Sequence, residues 1–229
     1  MRDPFPLMIF AAGFGTRMRE LTAARPKPLI PVLGRPLIDR ALDLAHEAGC
    51  APVVVNTHYL GPMIAGHLAG TGVVISDEAG EILETGGGLK KALPLLPGGA
   101  VMTLNPDAVW RGPNPLAALR AAWDPDRMDA LLLVQDAARV KGRGAAADFV
   151  LAADGRIERA AGRDGVLYLG AQVVKTAPVA AWPEQVFSLN AVWDGIIAAG
   201  RAHGLLYEGD WCDVGSPEGL AEAEAMLGR

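Results

Sequence analysis

Short apolar runs alternate along the chain with longer stretches whose apolar positions recur every three or four residues. PLMIFAAG, at residues 6–13, reads as a buried strand, and PLIDRALDLAHEAGC, at residues 36–50, as a helix. In that helix Leu37, Ile38, Ala41, Leu42, Leu44, Ala45 and Ala48 share one face, Pro36 suits the first turn and Gly49 the stop. PVVVNTH predicts a second strand, YLGPMIAGHLAG a short helix and GVVISDE a third strand. GGGLKKALPLL reads as a further short helix, AVMTLNPD as a fourth strand, NPLAALRAAWD as a helix and DALLLVQD as a fifth strand. Strands separated by helices imply an α/β fold with a mostly parallel sheet covered on both faces.

The pattern then changes. In DFVLAADGRIERAA, Asp154-Gly155 stands between two alternating runs and predicts a β-hairpin. GVLYLGAQVVKT adds a strand, FSLNAVWDGIIAAG a helix, and GLLYEGDWCDVG leads into a terminal helix, SPEGLAEAEAML. At 229 residues, 51% of them hydrophobic, the chain can bury a sizeable core. The expectation is one domain over residues 1–229, its first half to about residue 110 and its second from about 111. A Gly/Ala/Arg-rich patch, KGRGAAA, occupies residues 141–147.

A formal net charge of −5 argues against nucleic-acid binding but leaves room for a small anion held by a few placed cations. No apolar run approaches the ~20 residues that cross a bilayer, and two prolines interrupt MRDPFPLMIF as a secretory signal. Cys50 and Cys212 have no motif spacing, so the expected state is reduced thiols in the cytoplasm. His46, His58, His67 and His203 show no zinc-like spacing with them and are read as surface or structural residues.

Candidate chemistry begins after the first strand, where ligands of an open α/β sheet bind. Gly13 and Gly15 let the main chain turn and bring N–H groups close to an anion. Arg17 offers a planar fork for phosphate oxygens and Lys27 a point charge. A dinucleotide fingerprint fits poorly, because Met18 stands in place of its third glycine and the second strand ends in NTH without an acid. A P-loop is excluded by the missing glycine-lysine-serine/threonine ending. On these residues alone, a glycine turn with solvated cations stays open.

The wider pattern is more specific. Gly13-x-Gly15-Thr16-Arg17, Leu21-Thr22, Pro26-Lys27-Pro28-Leu29, Pro31-Val32 and Gly34-Arg35-Pro36-Leu37 together resemble the sugar-1-phosphate nucleotidylyltransferases. LETGGGLKKALPLL is similar to the family's base-reading segment, LNPD to its strand-end Asn-Gly-Asp, and DWCDVGSPEGL to its late Trp-x-Asp-x-Gly. The triple glycine and the short ending are most similar to the branch that uses UTP and N-acetylmuramate 1-phosphate in cell-wall recycling. Pro106 replaces the family's usual glycine, and Glu20 stands where many relatives carry proline.

The resemblance implies a Rossmann-like three-layer sandwich with a nucleotide-binding first half and an antiparallel, sugar-binding second half. It implies nucleotide contacts at Ala11, Ala12, Gly13, Gly15, Thr16, Arg17 and Lys27, and at Glu84, Thr85, Gly86 and Gly87. It points to Asn105, Asp148, Gly170 and Asn190 for the sugar, framed by Tyr168 and Gln172. Asn190 also reads as a helix cap. Mg²⁺ is expected on Asp107 and Asp213, with Arg17, Lys27 and Asp107 as the catalytic residues. The implied reaction needs no side-chain nucleophile: an ionised sugar phosphate attacks the α-phosphorus of UTP in line and pyrophosphate leaves, so position and electrostatics carry it. The expected partners are therefore UTP and a sugar 1-phosphate, with no nucleic acid and no membrane, in a monomer or weak homodimer. Two alternatives stand beside this reading. One is a sister enzyme such as a mannose-1-phosphate guanylyltransferase; the other is a catalytically silent nucleotide-sugar sensor, which Pro106 keeps open.

Overall fold

Alternation along the first strands decides which layer each side chain joins. Leu7, Ile9, Val53 and Val55 pack on one face with Ile38, Leu42, Leu116 and Leu119, while Met8 and Val54 pack on the other with Leu89, Trp193 and Ile196. The computed structural model describes residues 4–140 and 146–228, so most of the Gly/Ala/Arg-rich patch, residues 141–145, lies outside the described residues. In chain order the strands are β1 (Leu7–Phe10), β2 (Pro31–Val32), β3 (Arg35–Pro36), β4 (Val53–Thr57), β5 (Val74–Asp77), β6 (Ala100–Leu104), β7 (Ala108–Arg111), β8 (Ala130–Asp136), β9 (Phe149–Leu151), β10 (Ile157–Arg159), β11 (Val166–Lys175), β12 (Ala202–Leu206) and β13 (Asp210–Asp213). The helices are α1 (Leu37–Glu47), α2 (Gly61–His67), α3 (Glu84–Ala92), α4 (Pro115–Ala122), α5 (Thr176–Ala180), α6 (Leu189–Ala198) and α7 (Pro217–Leu227).

The main sheet is mixed. β5, β4, β1 and β6 run parallel in that spatial order, and β11 joins β6 antiparallel. β11 also pairs antiparallel with β8, which carries β12 parallel on its far side, and its start meets the β9–β10 hairpin. Helices α1 and α4 cover one face and α3 and α6 the other, which makes three layers. A smaller core of Met18, Ile30, Leu37, Val109, Val214 and Met226 clamps the glycine loop to α7 and to the separate β7–β13 ribbon. No described helix is long and apolar enough to cross a membrane.

Several boundaries differ from the sequence pattern for local reasons. Pro36 is the N-cap of α1, not a first-turn residue, because its ψ of 144° keeps it extended as the last residue of β3. Gly49 follows the helix with φ +64°, the left-handed stop glycine favours. α3 starts at Glu84, two residues before the glycines, so the residues 84–87 form a first helical turn. GLLYEGDWCDVG divides into β12 and β13, which belong to different sheets.

Candidate active site

The loop after β1 is anchored by a buried chain of hydrogen bonds. Ala11 N–H donates to Asn56 Oδ1 at 2.7 Å, and Asn56 Nδ2 donates to Glu78 Oε1 at 2.7 Å. Glu78 Oε2 accepts the Leu83 N–H at 3.2 Å, tying the same network to the start of α3. Asn56 and Glu78 are both buried. Neither is singled out by the sequence reading; the available signals are the polar ends of β4 and β5, whose meaning depends on the two strands lying side by side.

Gly15 has φ +65°, and a Cβ there would come within 2.9 Å of Lys27 Cβ. Its freedom is therefore needed by the protein itself. Gly13 differs: its φ is ordinary and a Cβ would meet nothing within 4 Å. Lys27 opens a short 3₁₀ turn between the buried Pro26 and Pro28. Its side chain is only 11% exposed and its Nζ lies 2.8 Å from Asp107 Oδ2.

Asp107 sits between β6 and β7, and its carbonyl accepts the Val214 N–H at 2.8 Å. In the β7–β13 ribbon Asp213 pairs with Ala108, the first residue of β7, so it stands one register step from Asp107, which immediately precedes that strand. The Asp213 side chain is 9% exposed, with Arg17 Nη1 3.7 Å from its Oδ2. A Cβ on Gly215 would come within 2.6 Å of that oxygen and 2.9 Å of Arg17 Nη1, so a larger residue there would displace the ends of both side chains. Pro106 lines the cleft and leaves Asp107 facing Lys27.

These elements enclose a cleft of about 330 Å³. Ala11, Ala12, Gly13, Gly15, Thr16 and Arg17 form one wall. Lys27, Asn105 and Asp107 lie beneath it, and Glu84 and Thr85 stand on the α3 side. Glu84 has φ +59°, a strained setting for a residue with a Cβ and one that concentrates at functional sites. Gly86 and Gly87 do not line the cleft. Their N–H groups both donate to the Phe187 carbonyl, at 2.8 and 3.0 Å, and a Cβ on them would strike Phe187 and the Gln185 carbonyl respectively. Their smallness packs α3 against the segment before α6.

A second lobe of about 230 Å³ continues from the first, sharing Phe10, Thr85 and Asn105 with it. Asp148 and Asn190 line this lobe with Tyr168 and Gln172. Gly170 does not line it. With φ +85° it brings β11 so close that a Cβ would lie 2.9 Å from Asn105 Cβ, and its carbonyl accepts the Asn105 N–H at 2.8 Å. Its contribution is to position Asn105. Asn190 is not the cap of α6; Ser188 is, through a hydrogen bond to the Asn190 N–H. Asn190 Oδ1 instead accepts from Arg159 Nη1 at 2.9 Å.

Arg159 is a further wall residue outside the sequence reading. Its Nε donates to Asp194 Oδ1 at 2.8 Å, and its guanidinium lies 5.0 Å from the Phe149 ring centroid. Burial pushes the Tyr168 hydroxyl well above the ordinary tyrosine range, a hydrogen bond with Thr103 acts in the opposite sense, and the Asp107 charge pushes it further up. Tyr168 is thus a neutral phenol at any working pH.

Comparison with known proteins bears on this cleft. Residues 7–206 match the family model described as a MobA-like NTP transferase domain. The chain is 40% identical over 231 residues to an N-acetylmuramate alpha-1-phosphate uridylyltransferase of Caulobacter vibrioides, covering 96% of each. It is 33% identical to the enzyme of the same name from Neisseria meningitidis serogroup B, covering 96% of this chain and 97% of that one. Among solved structures, HddC from Yersinia pseudotuberculosis complexed with GMP-PN superposes with a TM-score of 0.78 at 19% identity, over 97% of this chain and 99% of that one. The last shows a shared fold, and with it the three-layer arrangement expected from the sequence.

Proposed function

Since the chain belongs to the MobA-like NTP transferase family, we propose that it transfers a uridylyl group from UTP to N-acetylmuramate 1-phosphate, yielding a UDP-sugar and pyrophosphate. The observation that carries this reading is the two-lobed cleft, with Lys27 and Asp107 in the first lobe and Asn105 shared by both. A nucleoside triphosphate fits the first lobe and a sugar the second, so their reacting phosphates meet beside Lys27. Near-complete coverage of two relatives named for uridylyl transfer to N-acetylmuramate alpha-1-phosphate supports the choice of base and sugar.

In this reading the main chain of Ala11, Ala12 and Gly13, with Glu84 and Thr85 opposite, holds the uracil and ribose. Gly15, Thr16, Arg17 and Lys27 hold the phosphates. Asn105, Asp148 and Asn190 hold the sugar. The division of labour broadly follows the two halves of the chain, although Asn105 of the first half reaches the sugar and β13 and Gly215 return from the second half to complete the first lobe. Each chain supplies a whole cleft, which suits a monomer or a weak homodimer, and the buried free thiols of Cys50 and Cys212 accord with a cytoplasmic setting.

Asp107, just before β7, and Asp213, at the end of β13, offer hard oxygen ligands, and the described residues contain no cluster of three metal-binding side chains. That donor set fits Mg²⁺, which binds through one or two carboxylates and takes its other ligands from water and phosphate. Bound there, Mg²⁺ supplies positive charge for the α-phosphoryl oxygens and the pyrophosphate. Lys27 brings the acceptor phosphate and the α-phosphate together against their mutual repulsion, and Arg17 steadies the leaving pyrophosphate. The sugar phosphate is already ionised, so no side chain has to remove a proton.

The test is a screen of the four nucleoside triphosphates against N-acetylmuramate, glucose and mannose 1-phosphates with Mg²⁺, scored by pyrophosphate release. UTP with N-acetylmuramate 1-phosphate should give the highest kcat/KM. Preference for GTP would reject the assignment.

A further inference from the structure

The floor of the second lobe holds a polar group without a partner. Gln172, paired with Thr103 across β11 and β6, is fully buried yet lines that lobe. Its Oε1 accepts the indole Nε1–H of Trp193 at 2.9 Å. An indole nitrogen only donates, so this contact fixes which end of the carboxamide is oxygen. The amide nitrogen, Nε2, is left with no hydrogen-bond partner among the described residues. A buried donor without an acceptor is costly, and one on a residue that lines a cavity is suited to an acceptor brought by a ligand once the amide turns toward it.

The surroundings narrow the kind of acceptor. Phe149, Tyr168 and Trp193 wall the lobe, with Trp193 meeting the other two edge to face at centroid distances of 6.0 and 5.0 Å. Asp148 lies on the same lobe, its Oδ2 accepting the Tyr168 N–H at 2.9 Å. Thr85, Asn105, Arg159, Ser188 and Asn190 also line the lobe; beside them, the rings, the neutral Gln172 amide and the Asp148 carboxylate together complement a group that carries a carbonyl oxygen, a methyl and an N–H. An acetamido group has all three. The lobes join at Phe10, Thr85 and Asn105, so a sugar whose 1-phosphate reaches Lys27 extends into the second lobe, its C2 substituent borne by the carbon next to C1.

We propose that Gln172 selects the sugar: its Nε2 donates to the carbonyl of a 2-acetamido group whose methyl packs among Phe149, Tyr168 and Trp193. The chain therefore takes 2-acetamido sugars in preference to 2-hydroxy sugars. This inference rests on the sugar 1-phosphate reading above and adds the residue that enforces the choice.

The test uses the full chain with UTP and Mg²⁺ on N-acetylglucosamine 1-phosphate and glucose 1-phosphate, which differ only at C2. The wild type should prefer the acetamido sugar by about a hundredfold in kcat/KM. Gln172→Glu keeps the acceptor for Trp193 but loses the donor. It should cut that preference about tenfold or more, through a higher KM for the acetamido sugar, with KM for UTP within about twofold. Gln172→Met should do the same without adding charge. Saturation-transfer NMR on the wild type is independent of any variant's folding: the acetyl methyl should receive the strongest transfer, and stronger transfer to the pyranose protons would overturn the inference. Failure to transfer to any sugar 1-phosphate would overturn the proposed function and this inference with it. Transfer without preference at C2, or a preference that survives in both folded variants, would overturn this inference alone.

Discussion

Lys27 Nζ lies 2.8 Å from Asp107 Oδ2, although eighty residues separate them in the chain. The lysine is nearly buried while the aspartate remains about one-third exposed, so the pair presents its carboxylate side to the cleft. Pro26 and Pro28 restrict the backbone on either side, which lowers the entropy lost in placing the ammonium. Lys27→Ala should lower kcat/KM by about 10²–10³ in a pyrophosphate-release assay, the scale expected for one preorganised electrostatic contact. A rate within threefold of wild type would remove Lys27 from the mechanism.

Asp107 and Asp213 are joined by strand pairing and not by sequence proximity, so the two should fail together. Asp107→Asn and Asp213→Asn should each reduce turnover about a hundredfold or more and raise the Mg²⁺ concentration giving half-maximal rate. Circular dichroism should show the fold intact in both. Normal rates in both variants would falsify the metal assignment.

Gly13 and Gly15 separate what the fold needs from what a ligand needs. Gly15→Ala forces a Cβ into a positive-φ position against Lys27 and should destabilise the protein by about 1–3 kcal/mol in urea unfolding. Gly13→Ala meets open space and should leave stability within about 0.5 kcal/mol. Its effect should appear instead as a several-fold rise in KM for UTP, because the added methyl occupies the approach to the main chain. Equal stability losses in the two variants would refute this division.

The same contrast explains what the sequence makes readable. The unbroken apolar runs LMIF and VVV follow from a sheet buried on both faces, so β1 and β4 are legible locally. β7 is not, because AVWR pairs only with β13, about a hundred residues later, and a distant partner leaves no local trace. In the site, Gly15 and the prolines around Lys27 mark the first lobe because they constrain the backbone, and the cations because an anion would need them. The Asn56–Glu78 link and Arg159 depend on which strands and helices become neighbours, which no short motif encodes. Gly86 and Gly87 show the opposite difficulty. Close approach of another backbone and close approach of a ligand both select glycine, so the sequence alone does not distinguish them.

The Asn56–Glu78 link should matter to both stability and binding. Glu78→Ala strips the acceptor from Asn56 Nδ2 and from the Leu83 N–H at once, leaving one buried and one part-buried donor unpaired. A loss of about 2–3 kcal/mol in unfolding free energy is expected. Because Asn56 also holds the Ala11 N–H, KM for UTP should rise in the fraction that remains folded. Unchanged stability would show that the network carries no load.

Asp129 gives the fold a defined response to acid. It sits where β8 begins, with Lys175 Nζ at 2.8 Å and Arg201 Nε at 2.9 Å from its Oδ1. Burial alone would raise its pKa, but hydrogen bonds and positive charge from Lys175 and Arg201 outweigh that and hold it below the ordinary value of 3.8. Between the lowered folded value and the unfolded one, the unfolded chain binds more protons, so stability rises with pH across that window. The contribution is fully present above about pH 4 and is lost as pH falls through the folded value. Asp129→Asn should therefore be less stable than wild type by about 1 kcal/mol at pH 7. The gap should narrow steadily below pH ~4 as the wild-type carboxylate protonates. Urea midpoints at pH 7, 4 and 3 measure it, and a gap that widened on acidification would reverse the assigned sign.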